Sequence, residues 1–141
     1  MKRLTIKDIQ TLKDNSQTFA TITAYDYTSA SIADSIGIPL LLVGDSAAMV
    51  VYGLDTTIPI SMDELLFLVR AVCRGSKQSL VVADMPFMSY QASVEDAVRN
   101  AGRFIKEGGA GAIKLEGGKP YKKQIKAIIN AGIPVMGHIG L

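Results

Sequence analysis

The 141-residue sequence has very little of the two side chains that bind soft metals. It contains one cysteine, Cys73, and one histidine, His138. A single cysteine excludes an internal disulfide. Apolar neighbours at helical spacing indicate that Cys73 packs in the core, because a reactive thiolate needs an electropositive and partly exposed setting. With so few nitrogen and sulfur ligands, a zinc site is not expected.

Long apolar runs and an excess of one charge are also absent. The longest apolar run, Ile36 to Val43, contains a glycine and a proline and is far shorter than the ~20 residues that cross a bilayer. The basic start of the chain is followed by polar residues where a signal peptide would be uninterruptedly apolar: Thr5, Lys7, Asp8 and Gln10. The net charge of +2 comes from 15 basic and 13 acidic residues spread along the chain. We therefore expect a cytoplasmic protein with neither a membrane nor nucleic acid as partner.

The sequence does contain an alternation of strand-like and helix-like segments. With 48% hydrophobic residues, the chain can bury a core, and its length suits one domain over residues 1–141. Short apolar runs are typical of strands that are buried on both faces and paired in parallel. Five such strands are predicted: Phe19–Ala24, Pro39–Val43, Leu80–Ala83, Ala112–Leu115 and Pro134–Gly137.

Helices are predicted between these strands, because apolar residues recur there with the helical period, most clearly over 62–73 and 94–105. Ser61 with Glu64 and Ser93 with Asp96 have the spacing of an N-cap and a reciprocating acid. A further helix from Thr5 to Asp14 precedes the first strand, and 46–59 is predicted to be a long irregular loop. Glycines that can adopt the left-handed conformation mark the helix ends: Gly37, Gly75, Gly108, Gly109 and Gly132.

Five strands alternating with four helices predict either an open doubly wound sheet or part of a (β/α)8 barrel. The residues after the first strand, 23–27, lack the glycine-rich phosphate turn of a doubly wound dinucleotide fold. We therefore favour the α/β class and a (β/α)8 TIM barrel, of which this chain covers about the first five strands, four helices and an N-terminal helix. A complete barrel has eight strands and ~250 residues. A partial barrel, as a fragment or a truncated form, would leave two strand edges to be covered by something else.

Charged side chains cluster where the predicted strands end, which in a barrel is where the chemistry lies. Asp45 and Asp84 follow neighbouring strands, and Lys114 and Glu116 lie on one face of the fourth. Two adjacent carboxylates need a cation, since otherwise like charge makes one of them take up a proton. Oxygen ligands favour Mg²⁺, with Asp45 and Asp84 binding it and Glu116 reaching it through water. Each acid alone could instead be a helix N-cap, and Lys114 alone a surface lysine.

Other polar residues at the same predicted barrel mouth have less certain roles. His138, at the end of the fifth strand, could contact substrate or shuttle a proton near neutral pH. A structural histidine with a backbone partner is the alternative. Tyr25 and Asp26 close the first strand and face the same mouth, but their spacing assigns them no role.

Motifs at the ends of all five strands resemble those of the ketopantoate hydroxymethyltransferase family, also called 3-methyl-2-oxobutanoate hydroxymethyltransferases. They occur in family order and run the length of this chain, which corresponds to about the N-terminal half of the family's usual sequence. The motifs are TITAYD at 21–26, LVGDS at 42–46, ADMPFM at 83–88, KLEGG at 114–118 and GHIGL at 137–141.

The resemblance implies a barrel that transfers a hydroxymethyl group from 5,10-methylenetetrahydrofolate to 3-methyl-2-oxobutanoate. The product, 2-dehydropantoate, serves pantothenate and coenzyme A synthesis. By motif, Asp45 and Asp84 would bind Mg²⁺ with support from Glu116, and both aspartates would also bind the substrate. Ser46 and Lys114 would hold the 2-oxo acid carboxylate. The metal would stabilise an enolate.

The resemblance also implies a general base outside residues 1–141 and an oligomeric assembly. The family's general base is a glutamate beyond the fifth strand, so it would lie past Leu141. Family members form homo-oligomers, commonly decamers. We therefore expect the isolated chain to have no more than trace transferase activity.

Two other functions remain open from the sequence. A related barrel could use the same metal site as a Mg²⁺-dependent lyase or mutase of another 2-oxo acid. Alternatively, the chain could be a non-catalytic half barrel that assembles with itself or with a partner.

Overall fold

A computed structural model describes residues 2–140, which form a parallel sheet of five strands in chain order. Met1 and Leu141, the ends of the predicted domain, lie outside the described residues, and Leu141 is also the last residue of the motif at 137–141. The predicted strands are confirmed, with ends that differ by one or two residues. Asp84, Glu116 and His138 thereby become the last residues of their strands. The strands are β1 (Thr21–Thr23), β2 (Leu40–Val43), β3 (Leu80–Asp84), β4 (Ala112–Glu116) and β5 (Val135–His138).

Helices occupy the predicted positions between the strands. Thr5 and Ser61 each begin a helix with a complete capping box, to Asp8 and Glu64 respectively. Ser93 accepts a hydrogen bond from the Asp96 N–H, but the Asp96 carboxylate pairs with Arg99 at 2.9 Å instead of reciprocating. The helices are α1 (Ile6–Asp14), α2 (Tyr27–Ser35), α3 (Ala47–Val50), α4 (Met62–Gly75), α5 (Val94–Lys106) and α6 (Lys122–Asn130), with a 3-10 turn at Lys119–Tyr121 before α6.

Two further local predictions were wrong. The loop predicted as irregular over 46–59 contains the short helix α3 directly after β2. Gly75 and Gly108 do not adopt the left-handed conformation, which Gly37, Gly109 and Gly132 do adopt. A side chain at Gly75 would instead run into the carbonyl of Tyr27, so this glycine lets α2 and α4 pack closely. Sequence alone cannot distinguish these two uses of glycine.

The outer face of the sheet carries the main core. Alternate strand residues, among them Leu41, Val81 and Ile113, are fully buried against the helices. Helices α2, α4, α5 and α6 pack side by side in that order. Parallel strands in chain order with consecutive helices on one face match a sector of a (β/α)8 barrel, whereas a doubly wound sheet has helices on both faces.

The inner face has a smaller apolar cluster near the N-terminal ends of the strands. Leu40, Leu80, Val82 and Ala112 form it, and Ile9 of α1 packs against it. An apolar groove of about 810 Å³ lies between α1 and this face. No helix in the described part of the chain is both long and apolar enough to cross a membrane. Cys73 packs against the outer core, and burial raises the pKa of its thiol.

Candidate active site

The inner face becomes polar at the C-terminal ends of the strands. Asp84 follows Val82 by two positions on β3, and Lys114 follows Ala112 by two on β4, so both side chains point to the inner face. The register places Asp84 opposite Lys114. The Lys114 ammonium donates to both carboxylate oxygens of Asp84, at 2.7 and 2.9 Å. The two predicted residues therefore form a direct ion pair.

This ion pair is largely withdrawn from solvent, with side chains 7% exposed for Asp84 and 14% for Lys114. Burial raises the pKa of Asp84 to about 6, although the Lys114 ammonium opposes the rise. The Asp45 carboxylate raises the pKa of Asp84 further, because its like charge lies nearby. The contacts with Lys114 therefore do not fully offset the cost of burying the ionised form of Asp84.

Asp45 lies in the turn after β2 and is half-buried. Its backbone N–H also interacts with the Asp84 carboxylate, which lowers the pKa of Asp84 slightly. The turn between β2 and α3 therefore brings Asp45 beside Asp84, at the same end of the sheet. Its N-terminal neighbour Gly44 and its C-terminal neighbour Ser46 belong to the same turn.

Ser46 stands at the N-cap position of α3, yet its side chain caps no backbone N–H. Its hydroxyl lies 2.7 Å from the hydroxyl of Tyr25, which follows β1. Asp26, the next residue, caps α2 by accepting from the Ser29 N–H at 2.8 Å. Of the two residues that closed the first predicted strand, Tyr25 thus faces the site and Asp26 holds a helix.

Glu116 and His138, the last residues of β4 and β5, form a second pair. They are opposite each other in the register of β4 and β5, and His138 Nδ1 lies 3.1 Å from Glu116 Oε2. Both are more exposed than the Asp84 pair, with side chains 58% and 35% exposed. His138 therefore has a carboxylate partner, rather than the backbone partner that the structural alternative proposed.

Tyr90 is a site neighbour that sequence reasoning missed. It lies between β3 and α5, is 2% exposed, and donates its hydroxyl to the Glu116 carbonyl at 3.2 Å. Its ring packs edge-on against Tyr121 at 5.2 Å. Burial raises the pKa of Tyr90 to about 12, so it stays a donor at neutral pH. Its only sequence signal was an aromatic residue in the loop after Asp84.

The donor set fits a hard divalent ion better than a soft one. Among residues 2–140, no group of three or more acidic, histidine or cysteine side chains is arranged to hold a metal. Asp45 and Asp84 do lie together, and Mg²⁺ commonly takes only one or two carboxylates and fills its other positions with water and substrate oxygens. The two carboxylates, Asp45 and Asp84, outnumber the single ammonium of Lys114, so the cluster has the sign that such an ion would neutralise.

Comparisons with known proteins agree on one family. The sequence model described as Ketopantoate hydroxymethyltransferase matches residues 3–141. A 3-methyl-2-oxobutanoate hydroxymethyltransferase of Carboxydothermus hydrogenoformans is 58% identical over 141 residues, which are 100% of this chain and 51% of the relative. That of Saccharopolyspora erythraea is 55% identical over 139 residues, 99% of this chain and 47% of the relative. The chain spans about half the length of the curated relatives it matches.

Solved structures support the barrel. A phosphoenolpyruvate phosphomutase from Streptomyces platensis subsp. rosaceus superposes with a TM-score of 0.76 at 16% identity, covering 95% of this chain and 53% of that one. A phosphonopyruvate hydrolase complex with oxalate and Mg²⁺ gives 0.75 at 16%, covering 95% and 52%. A 2,3-dimethylmalate lyase of the PEP mutase/isocitrate lyase superfamily gives 0.70 at 17%, covering 95% and 52%. At these identities the likeness shows the fold alone, and the chain is a partial TIM barrel.

Proposed function

Since the chain belongs to the ketopantoate hydroxymethyltransferase family, we propose that it contributes the metal and keto-acid half of a hydroxymethyltransferase site. The reaction moves a hydroxymethyl group from 5,10-methylenetetrahydrofolate to 3-methyl-2-oxobutanoate and gives 2-dehydropantoate. Both curated relatives are named for this acceptor, 3-methyl-2-oxobutanoate. The folate donor rests on the family resemblance.

The observation that carries this proposal is the juxtaposition of Asp45, Asp84 and Lys114 at the ends of three neighbouring strands. Asp45 and Asp84 would hold Mg²⁺ directly, and Glu116 would reach it through water. When bound there, the ion supplies positive charge that acidifies the C–H beside the keto group and stabilises the resulting enolate.

The chain's own residues would orient the acceptor. Lys114 offers an ammonium and Ser46 a hydroxyl, and both can donate to the carboxylate of a 2-oxo acid. Lys114 has three protons and gives Asp84 two contacts at most, so it can keep a donor for the substrate. Abstraction of the substrate proton falls to a base outside residues 1–141, with His138 beside Glu116 as the weaker candidate within them.

Calorimetry tests this assignment on the purified chain. We expect Mg²⁺ to bind, and 3-methyl-2-oxobutanoate to bind more tightly when Mg²⁺ is present. Asp84→Asn and Asp45→Asn should each weaken Mg²⁺ binding by about tenfold or more, because each removes a charged oxygen ligand. Asp55→Asn, which changes an exposed aspartate, is the matched control. Equal Mg²⁺ binding by all four proteins would contradict the metal site.

Activity of the isolated chain gives a second test. Without the family's general base, we expect no more than trace formation of 2-dehydropantoate from 3-methyl-2-oxobutanoate and 5,10-methylenetetrahydrofolate. Robust turnover by the monomer would show that residues 1–141 contain the whole site. The family resemblance also leads us to propose that the protein is cytoplasmic and forms a homo-oligomer. Light scattering would measure the molar mass and hence the oligomeric state.

The same measurements separate the alternatives. A soluble assembly without affinity for Mg²⁺ would favour a non-catalytic half barrel. Turnover of phosphonate or citrate-like substrates, in place of the keto acid and folate, would favour a lyase or mutase.

A further inference from the structure

The turn after β2 has an unusual serine. Ser46 occupies the N-cap position of α3, where serine normally accepts a hydrogen bond from the helix. Its backbone is instead helical, at φ −54° and ψ −14°, and its side chain caps nothing. The Ser46 hydroxyl is bonded only to the hydroxyl of Tyr25 among the residues that the structure describes, at 2.7 Å. The local helix therefore does not explain where this side chain points.

Gly44 provides the space that this arrangement needs. A methyl group built on Gly44 would lie 2.8 Å from Ser46 Oγ and 3.9 Å from Tyr25 Oη. Gly44 does not have a positive φ, so a left-handed conformation is not what requires glycine there. Glycine at this position thus serves the placement of the Ser46 hydroxyl rather than the turn.

We propose that Tyr25 is a positioning residue that fixes Ser46 as a hydrogen-bond donor to the carboxylate of the keto acid, an inference that rests on the proposed function. A carboxylate only accepts hydrogen bonds, so Ser46 must donate its single proton to it. That leaves the Tyr25 hydroxyl as the donor in the Tyr25–Ser46 bond. Tyr25 then holds the Ser46 hydroxyl in one rotamer and strengthens it as a donor, because bonded hydroxyls polarise one another.

A double-mutant cycle in the affinity for 3-methyl-2-oxobutanoate tests this coupling. Calorimetry would be run with MgCl₂ on the unaltered chain, Tyr25→Phe, Ser46→Ala and the double variant. We expect Tyr25→Phe to raise Kd about fivefold, because Ser46 loses its fixed rotamer and its polarised proton. Ser46→Ala should raise Kd about tenfold, as for loss of one hydrogen bond to a charged group. In the Ser46→Ala background, Tyr25→Phe should change Kd by less than about twofold, since its target is gone.

Two further variants complete the test, one as a control for hydroxyl removal and one that displaces Ser46 without removing its hydroxyl. Tyr27→Phe removes the hydroxyl of an exposed tyrosine two positions away and should leave Kd unchanged. Gly44→Ala keeps both hydroxyls but displaces Ser46, and should therefore match Ser46→Ala in Kd. Circular dichroism and urea midpoints would show that each variant is folded.

The outcomes separate this inference from the proposed function. If Tyr25→Phe behaves like Tyr27→Phe, or weakens binding equally with and without Ser46, the coupling through Ser46 is overturned while the keto-acid site stands. If the unaltered chain binds no keto acid in the presence of Mg²⁺, the proposed function and this inference both fail.

Discussion

Two aspartates at opposite ends of the sheet are equally buried, each 5% exposed, but have opposite electrostatics. Asp34, near the N-terminal ends of β2 and β3, accepts three backbone N–H groups of residues 77–79 at 2.7 to 2.9 Å. It also accepts the hydroxyls of Ser76 and Ser79. Asp84, at the C-terminal end of β3, has Lys114 and one nearby backbone N–H.

The pKa values follow from these surroundings. Burial raises the pKa of Asp34, but the hydrogen bonds outweigh it and hold the pKa well below its usual range. Burial prevails at Asp84 and raises the pKa to about 6. A carboxylate that is fully hydrogen-bonded ties loops together, whereas one left short of partners keeps oxygen lone pairs for a ligand. The comparison therefore distinguishes a structural acid from a candidate functional one.

The largest effect is expected for Asp34→Asn. The amide places a donor against backbone N–H groups and leaves some of them unpaired, so the free energy of unfolding should fall by about 3 kcal/mol. Urea unfolding at neutral pH measures it. Asp55→Asn, at an exposed position, should change stability by less than about 0.5 kcal/mol. Similar urea midpoints for the two variants would show that Asp34 is not a structural acid.

The pH dependence of stability should have a separate window for each acid. The pKa of Asp84 is raised on folding, so the folded chain binds its proton more tightly and should gain about 2 kcal/mol as the pH falls from 7 to 4. The pKa of Asp34 is lowered, so its contribution is present above about pH 4 and is lost below it.

Metal-free urea titrations of three proteins measure these windows. Asp84→Asn should remove the gain between pH 7 and 4, and Asp34→Asn should flatten the loss below pH 4. If Asp84→Asn has the same profile as the unaltered chain, the raised pKa is assigned to the wrong residue.

Mg²⁺ binding should depend on pH through Asp84. Because the metal needs the ionised carboxylate and the pKa is about 6, Kd should increase about tenfold, or ~1.4 kcal/mol, from pH 7 to pH 5. Calorimetry at both values measures this change. An unchanged Kd would mean that Asp84 does not bind the ion.

The smallest effect is expected for Ser79→Ala. It removes one hydroxyl from Asp34 and leaves the backbone donors, so stability should fall by about 1 kcal/mol. When Asp34→Asn is already present, Ser79→Ala should cost less than it does alone, because the carboxylate that its hydroxyl served is gone. Additive losses would show that Ser79 acts mainly through its other contact, the Ile38 carbonyl at 2.6 Å.

Much of the fold was predictable because it depends on local patterns. Apolar runs predicted the five strands and the helical period predicted the intervening helices, with ends within one or two residues. The capping box at Ser61 follows from spacing alone. Gly75 was misread because its role depends on how closely another helix approaches.

The sequence predicted which residues lie in the candidate site, but not which of their side chains pair with each other. Alternation along β4 predicted that Lys114 and Glu116 share a face, and the structure shows Leu115 buried on the other. That Lys114 pairs with Asp84, and Glu116 with His138, depends on the register between strands. The contacts of Tyr90 and Asp34 could not be predicted from local spacing, since each bonds residues at least 26 positions away.

By itself, the sequence determined the family, the alternation of strands and helices, and which polar residues end the strands, because these depend on residue identity and short spacing. Only the tertiary structure decided which of those groups meet and how strongly each holds its proton. Burial and hydrogen bonding at Asp34 and Asp84 arise from segments far apart in the chain. The same residue type therefore has opposite pKa shifts at the two ends of one sheet.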